Sequence, residues 1–260
     1  MWGEEGNPAF IALHGWLDNC ATFQRLLPHL PGLNVFAVDL PGHGQSDHLN
    51  FYYSFGDWIP IVCGVANQLG WDKFGIIGHS MGAAISTMVA ATVPKRVSEL
   101  VLIEGIVPLM VQDDEIPERF SRLVNTLGRE RPVVRYKTIA EMRQARASMG
   151  YFCDPINLDP IIERGSKKID DKYTWSSDPY LTKISPHRFN LSQILSFLSR
   201  LEAKALLIRG RQGLKYFQDV EKEIFDHYKG LQVVDLEGRH HLHLEDPQPV
   251  AAEIRQFLNR

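Results

Sequence analysis

The residues of this chain best suited to chemistry lie in the pentapeptide Gly78-His79-Ser80-Met81-Gly82. The pentapeptide follows the apolar run 74–77 and precedes the small-residue run 83–86. This pattern predicts a strand, a very tight turn and a helix, with Ser80 at the apex. Glycines suit such a turn, because it strains the serine backbone and brings positions 78 and 82 against neighbouring backbone. The spacing Gly-x-Ser-x-Gly is typical of a nucleophilic serine, although it also occurs in loops without chemistry.

A serine hydroxyl is a weak nucleophile, so it needs a base, a carboxylate that orients the base, and donors for an oxyanion. Three histidines, His240, His241 and His243, lie between the last apolar run and the last helical pattern. For the oxyanion, we expect the N–H of Met81, at a helix N-terminus, and the N–H of Trp16, after the first apolar run.

Short apolar runs alternate with helical patterns along much of the chain. The runs are 10–13, 35–38, 74–77, 100–103, 205–208 and 232–235. Runs of this length separated by helices predict an α/β fold with a mostly parallel sheet and helices on both faces. The last helix is indicated by apolar residues at helical spacing, from Val250 to Leu258.

Between residues 108 and 201 this alternation stops and charged residues become more frequent. Segments 138–149 and 191–201 have helical patterns, and a structureless loop of that length is improbable in a compact domain. We therefore predict a core formed by 1–107 and 202–260, with 108–201 inserted as a helical lid. The aromatic residues of this lid shape a substrate pocket or pack the lid's own core, and we expect the second for most of them: Tyr151, Phe152, Tyr173, Trp175 and Tyr180.

The composition excludes several classes of protein. The 260 residues carry a net charge of −3 and no block of basic residues, which disfavours nucleic acid or an anionic membrane as a partner. No apolar run is long enough to predict a membrane span. The three cysteines, Cys20, Cys63 and Cys153, show no metal or redox spacing. Reduced thiols in a cytoplasmic protein are the expected state.

Four segments together resemble the α/β-hydrolase superfamily, and within it the serine hydrolase-like proteins. They occur in the expected order and cover the chain outside the lid: 14–19, 39–47, 78–82 and 238–247. The aspartate-free turn 210–213 and the lid segments 178–182 and 185–186 also resemble that subgroup. The resemblance implies a hydrolase without a cofactor or metal, with Ser80 as nucleophile. It also implies that Asp39 and His43 shape a loop, and that His14 hydrogen-bonds the loop that contains it.

The superfamily order of serine, acid and histidine identifies His240 as the base, with His241 as the alternative. The usual position of the acid is the turn after run 205–208, where this chain has Gly213. A second position known in the superfamily is the end of run 100–103, where the chain has Glu104. A buried carboxylate at a strand end is costly unless paired, so we favour Glu104. Asp219, or a serine–histidine pair without an acid, is the alternative.

The superfamily has two further strands before run 10–13, and we expect this chain to lack both. We therefore expect a truncated form that is less stable, because a sheet edge loses its cover. Restoring the upstream residues should raise the thermal midpoint.

These residues predict a carboxylesterase that acts on small acyl esters through an acyl-enzyme. One alternative is hydrolysis of a carbon–carbon bond, or perhydrolysis, on the same triad. Another is a weakly active ligand-binding homologue, which the missing late aspartate favours. The sequence does not indicate the substrate or the oligomeric state.

Overall fold

The computed structural model describes residues 1–49, 51–129, 133–148 and 153–259. Its centre is a parallel sheet of six strands in the order β2-β1-β3-β4-β7-β8. The strands are β1 (Ala9–Leu13), β2 (Asn34–Val38), β3 (Phe74–His79), β4 (Val97–Ile103), β7 (Lys204–Gly210) and β8 (Leu231–Leu236). All six apolar runs of the sequence lie in these strands, which confirms the predicted sheet.

Both faces of the sheet are covered, so successive side chains of one strand enter different cores. In β1, Ile11 and Leu13 belong to one buried cluster, whereas Phe10 and Ala12 belong to the other. Four helices cover the first face: α1 (Trp58–Gln68), α2 (Met81–Thr92), α6 (Leu191–Leu198) and α7 (Glu221–His227). The second face is covered by 3₁₀ turns Cys20–Phe23 and Leu27–His29 and by helices α8 (Leu242–Glu245) and α9 (Pro247–Phe257).

The segment between β4 and β7 separates two neighbouring strands of the sheet and has helices of its own. Its helices are α3 (Ile116–Thr126), α4 (Ile139–Ala147), α5 (Asp159–Gly165) and α6. The side chain of Thr138 accepts a hydrogen bond from the N–H of Glu141, so α4 begins directly after it. The predicted pattern 138–149 ends beyond α4, and Met149 lies outside the described residues.

This segment also contains an antiparallel hairpin that the sequence did not predict, β5 (Ser166–Ile169) with β6 (Lys172–Trp175). Its strands have four residues each and are mostly half-buried or exposed. They therefore lack the apolar run that identified the core strands, and the insertion is not purely helical.

Strand β2 is at one edge of the sheet. On its outer side Trp2 and Val35 exchange two backbone hydrogen bonds of 2.9 and 2.7 Å. Among the described helices, none has the length and apolar character needed to cross a bilayer.

Candidate active site

Ser80 forms the turn between β3 and α2, in a strained conformation with φ of 53°. Its N–H donates to the carbonyl of Ile103 at 2.8 Å. A Cβ at Gly78 would lie 2.5 Å from the carbonyl oxygen of Gly82, and a Cβ at Gly82 would lie 2.0 Å from that of Leu13. Only glycine fits at either position, which confirms the predicted strand–turn–helix and its cause.

The imidazole of His240 lies between Ser80 and Glu104. Its Nε2 is 3.0 Å from Oγ of Ser80, and its Nδ1 is 3.1 Å from Oε2 of Glu104. Since an ionised carboxylate only accepts, Nδ1 donates to Glu104 and Nε2 is left to accept the serine proton. The structure thus brings together three residues proposed from the sequence, in the geometry that activates a serine.

Glu104 follows β4 with φ of 56°, and its side chain is almost completely buried. The backbone N–H groups of Gly210 and Leu214 donate to its two carboxylate oxygens at 2.5 and 3.0 Å. With His240, these donors offset the cost of burying a charge. Asp219, the alternative acid, is exposed in the 3₁₀ turn Gln218–Val220. The structure therefore places Glu104 beside the histidine.

Burial lowers the pKa of His240 below its ordinary value, and the hydrogen bond to Glu104 opposes that shift only in part. The imidazole is consequently neutral at neutral pH, which is the form that accepts a proton. Burial and charge together thus suit His240 to act as a base.

Trp16 and Met81 line the same cavity as Ser80. Met81 is the first residue of α2, where the N–H has no acceptor within the helix. Within the part of the chain that the structure describes, neither amide donates to a backbone carbonyl. Both N–H groups are therefore available for an oxyanion.

Two polar residues near the site hold loops in place. Nδ1 of His14 donates to the carbonyl of the next residue at 2.7 Å, and its Nε2 accepts from the N–H of Leu40 at 3.0 Å. Asp39 accepts from the N–H groups of Cys20 and Gln45 at 2.8 and 2.9 Å. These contacts agree with the loop roles that the resemblance implies for His14 and Asp39.

A buried network of hydrogen bonds centred on Asp18 lies beside His240, and no pattern in the sequence predicted it. Oδ2 of Asp18 is 2.8 Å from Nε2 of His241, and Oδ1 accepts from Arg146 of α4 at 2.7 Å. His79 bonds the backbone carbonyl of His240 through Nε2 at 2.9 Å. His241, the alternative base, is therefore bonded to Asp18. No spacing in the sequence indicated an ion pair between residues 128 positions apart.

The donor atoms of Asp18, His79 and His241 lie within 4.8 Å of one another, which resembles the spacing of metal ligands. The carboxylate of Asp18 already has the Arg146 cation as its partner. A second cation there would be opposed by this charge, so we assign the network a positioning role.

A cavity of about 1100 Å³ opens beside Ser80 and His240. Residues of both the sheet-bearing part and the segment 108–201 line it, including Trp58, Met81 and Phe189. Of the aromatic residues in segment 108–201, Tyr180 lines this cavity, whereas Tyr173 and Trp175 pack against a separate cluster that also includes Leu244 of α8. Tyr151 and Phe152 lie outside the described residues.

The chain matches known proteins along nearly its whole length. A family model described as alpha/beta hydrolase fold matches residues 8–247. A "Probable serine hydrolase" of Drosophila melanogaster is 29% identical over 99% of this chain and 82% of its own length. A "Serine hydrolase-like protein" of Danio rerio is 30% identical over 99% of this chain and 83% of its own length.

Solved structures agree with these sequence matches. The crystal structure of a hypothetical protein from Pseudomonas aeruginosa PAO1 is similar with a TM-score of 0.90 and 33% identity, covering 100% of this chain and 94% of that one. A thioesterase domain from the curacin biosynthetic pathway, at 23% identity, has a TM-score of 0.84 over 97% of this chain and 92% of its own, and shows the shared fold. The chain therefore belongs to the alpha/beta hydrolase family, within the group of serine hydrolase-like proteins.

Proposed function

We propose that this protein is a carboxylic ester hydrolase that works through an acyl-enzyme on Ser80. The observation that carries the proposal is the continuous contact from Ser80 through His240 to Glu104, at 3.0 and 3.1 Å. We further propose that residues 108–201 form a lid over this site, because Leu109, Lys183 and Phe189 line the same cavity as Ser80.

The reaction begins when Oγ of Ser80 attacks the acyl carbonyl while Nε2 of His240 takes its proton. Glu104 holds the imidazole in the Nδ1–H tautomer and stabilises the imidazolium that forms. The N–H groups of Trp16 and Met81 bind the developing oxyanion. His240 then returns the proton to the leaving alcohol, and the acyl group remains on the serine. Water then attacks the acyl carbon while His240 takes its proton, and His240 returns that proton to Oγ of Ser80 as the Ser80–acyl bond breaks and the acid leaves.

A serine at the turn favours acyl transfer, because acylation of a hydroxyl gives an ester that water can cleave. The alternative of a binding protein with little activity depended on the missing aspartate in the turn after β7. The contact of Glu104 with His240 supplies a carboxylate from another strand and removes that argument.

A fluorophosphonate probe tests the proposal without knowledge of the substrate. It phosphonylates an activated serine, and mass spectrometry locates the modified residue. We expect modification of Ser80 in the parent protein, none in Ser80→Ala, and a loss of about 10³-fold or more in labelling rate in His240→Ala.

The control is Ser86→Ala, since Ser86 is buried in α2 and its Oγ donates to the carbonyl of Gly82. It should label at the parental rate. Folded parent protein that does not react, or that reacts at a serine other than Ser80, would contradict the proposal.

A further inference from the structure

The cavity beside Ser80 has an excess of positive charge. Five cationic side chains line it: Arg122, Arg129, Arg146, Lys183 and Arg188. In the described part of the lining, the sole carboxylate is Asp18. Asp18 is already bonded to Arg146 and His241, so its charge is compensated locally. The remaining four cations have no further acidic residue in the described lining of the cavity.

Arg188 is half-buried, whereas Arg122 and Arg129 are exposed. In the chain, Arg188 lies between the 3₁₀ turn Pro179–Thr182 and α6. Among the described residues, no carboxylate lies within 4.0 Å of its guanidinium. Burial and the neighbouring charge of Arg119 lower its pKa, and Glu115 opposes them only in part. A half-buried cation without a counterion costs free energy, which a bound anion would recover.

The groups around Arg188 have other partners. Glu115 is exposed and accepts from the N–H of Gln112 at 2.8 Å. Arg119 donates to the carbonyl of Ser185 at 2.8 and 3.2 Å. Neither group neutralises Arg188 by direct contact.

Lys183 is a second half-buried cation in the lining of the cavity. Its Nζ donates to the carbonyl of Thr126 at 3.1 Å and lies 4.2 Å from the ring centroid of Tyr180. A carbonyl and an aromatic ring fix the ammonium in place but leave its charge without a counterion. Arg122, in contrast, pairs with Glu118 on the surface of α3.

Much of the rest of the cavity wall is apolar. Phe55 and Phe189 pack edge to face with centroids 6.3 Å apart, and both line the cavity with Trp58 and Met81. Such a wall favours a hydrocarbon chain. The cavity thus combines an apolar wall, the hydroxyl of Ser80 and the cationic side chains of Arg188 and Lys183.

We propose that Arg188, assisted by Lys183, binds an anionic oxygen group at the end of the substrate's acyl chain. The substrates are then esters of acids that carry a terminal carboxylate or phosphate. The inference rests on the proposed hydrolase function, and it names the class of substrate for the same site. A guanidinium binds both carboxylate and phosphate through paired N–H donors.

Matched p-nitrophenyl esters test this inference. The acyl parts are adipic, suberic and sebacic acids with a free terminal carboxylate, the same chains ending in a carboxamide, and the same chains ending in a phosphate ester. The carboxamide has the shape of the carboxylate without its charge. The measured quantity is the ratio of kcat/KM for the charged ester to kcat/KM for the carboxamide.

We expect the parent protein to prefer one charged series by about tenfold or more, and the preference to weaken as salt is added. The series with the larger ratio identifies carboxylate or phosphate as the natural group. Arg188→Met should abolish the preference, and Arg188→Lys should retain part of it. Arg135→Met is the matched control, because it removes the same charge from an exposed surface pair with Asp170. Equal rates for charged and uncharged esters, or a preference that survives in Arg188→Met, would overturn the inference.

Failure of the two proposals can be told apart. If the parent hydrolyses the carboxamide esters without a preference for charge, the hydrolase proposal stands and the anion site does not. If no ester is hydrolysed, calorimetry on Ser80→Ala with monomethyl suberate and with the methyl ester of suberic monoamide decides, because only the first carries a charge. Tighter binding of monomethyl suberate that requires Arg188 supports the site, and equal binding overturns it. Circular dichroism of Arg188→Met establishes that the variant is folded, and Arg188→Lys repeats the test if it is not.

Discussion

Gly213 lies directly against the carboxylate of Glu104. A Cβ built on this glycine would be 2.2 Å from Oε2 and 2.3 Å from Oε1 of Glu104. The glutamate after β4 therefore requires the glycine in the turn after β7, because its carboxylate occupies the space that a side chain at position 213 would need. An aspartate does not fit at position 213 while the carboxylate of Glu104 lies there.

We expect Gly213→Ala to reduce kcat by about 10²-fold, because the added methyl group displaces Glu104 from His240 by a fraction of an ångström or more. Steady-state kinetics on a p-nitrophenyl ester measure the effect. Gly56→Ala is the control, since a Cβ at Gly56 meets no atom within 4 Å. Equal kinetics of the two variants would show that the carboxylate position does not matter.

Replacing Glu104 by Gln should reduce kcat by about 10³-fold to 10⁴-fold, because the amide no longer stabilises the imidazolium. Asp219→Asn, in the exposed turn, should keep the parental rate. If Glu104→Gln also keeps it, the acid assignment is wrong.

Glu104→Gln should also change how kcat/KM depends on pH. The kcat/KM of the parent should fall as pH drops through the pKa of His240, which burial places below about 6.5. Glu104 raises that pKa, so Glu104→Gln should move the acidic limb to still lower pH. A limb that moves to higher pH would contradict the proposed pair.

The ion pair of Asp18 and Arg146 joins the loop after β1 to α4. Arg146→Met should lower the free energy of unfolding by about 3–5 kcal/mol, because it leaves the Asp18 charge buried without its cation. The double variant with Asp18→Asn should lose less than Arg146→Met alone. Urea denaturation measures both, and Arg135→Met, in an exposed pair, should lose at most about 1 kcal/mol.

Buried histidines make the stability depend on pH in the acidic range. Burial lowers the pKa of His43 to about 3 and that of His241 to about 4. In the unfolded chain a histidine titrates near about 6.5, so between about pH 4 and about pH 6.5 the unfolded state binds more protons. The free energy of unfolding should therefore fall as pH falls, by about 1.4 kcal/mol per pH unit for each such histidine at about pH 5. Calorimetry in two buffers with different enthalpies of ionisation should detect proton uptake on unfolding. Equal enthalpies of unfolding in the two buffers would contradict this account.

The sheet and the strained turn could be predicted because they leave local signals. A parallel strand covered on both faces must be apolar throughout, and a turn packed against backbone must have glycine at positions 78 and 82. Ser80, Glu104 and His240 each follow the carboxyl end of a strand in the parallel sheet. The topology therefore brings all three to the same end of the strands.

Other features left no such signal. The hairpin β5–β6 is short and half-exposed, so propensity and periodicity are weak there. Asp18 and Arg146 are ordinary charged residues until the chain folds and buries them together. Arg188 is equally ordinary in the sequence, because its position in the cavity wall, with no carboxylate of the described residues within 4.0 Å, arises only when the chain folds.

The contacts of His240 span 160 positions to Ser80 and 136 positions to Glu104, and the contact of Asp18 with His241 spans 223. Closing loops of this length requires most of the chain to be in place first, because the entropy of closure must be overcome before the contact contributes. During synthesis Ser80 is therefore translated long before His240, and the two side chains meet only after β8 has joined the sheet. On the proposed mechanism, the order of residues along the chain keeps the serine inactive until folding is almost complete.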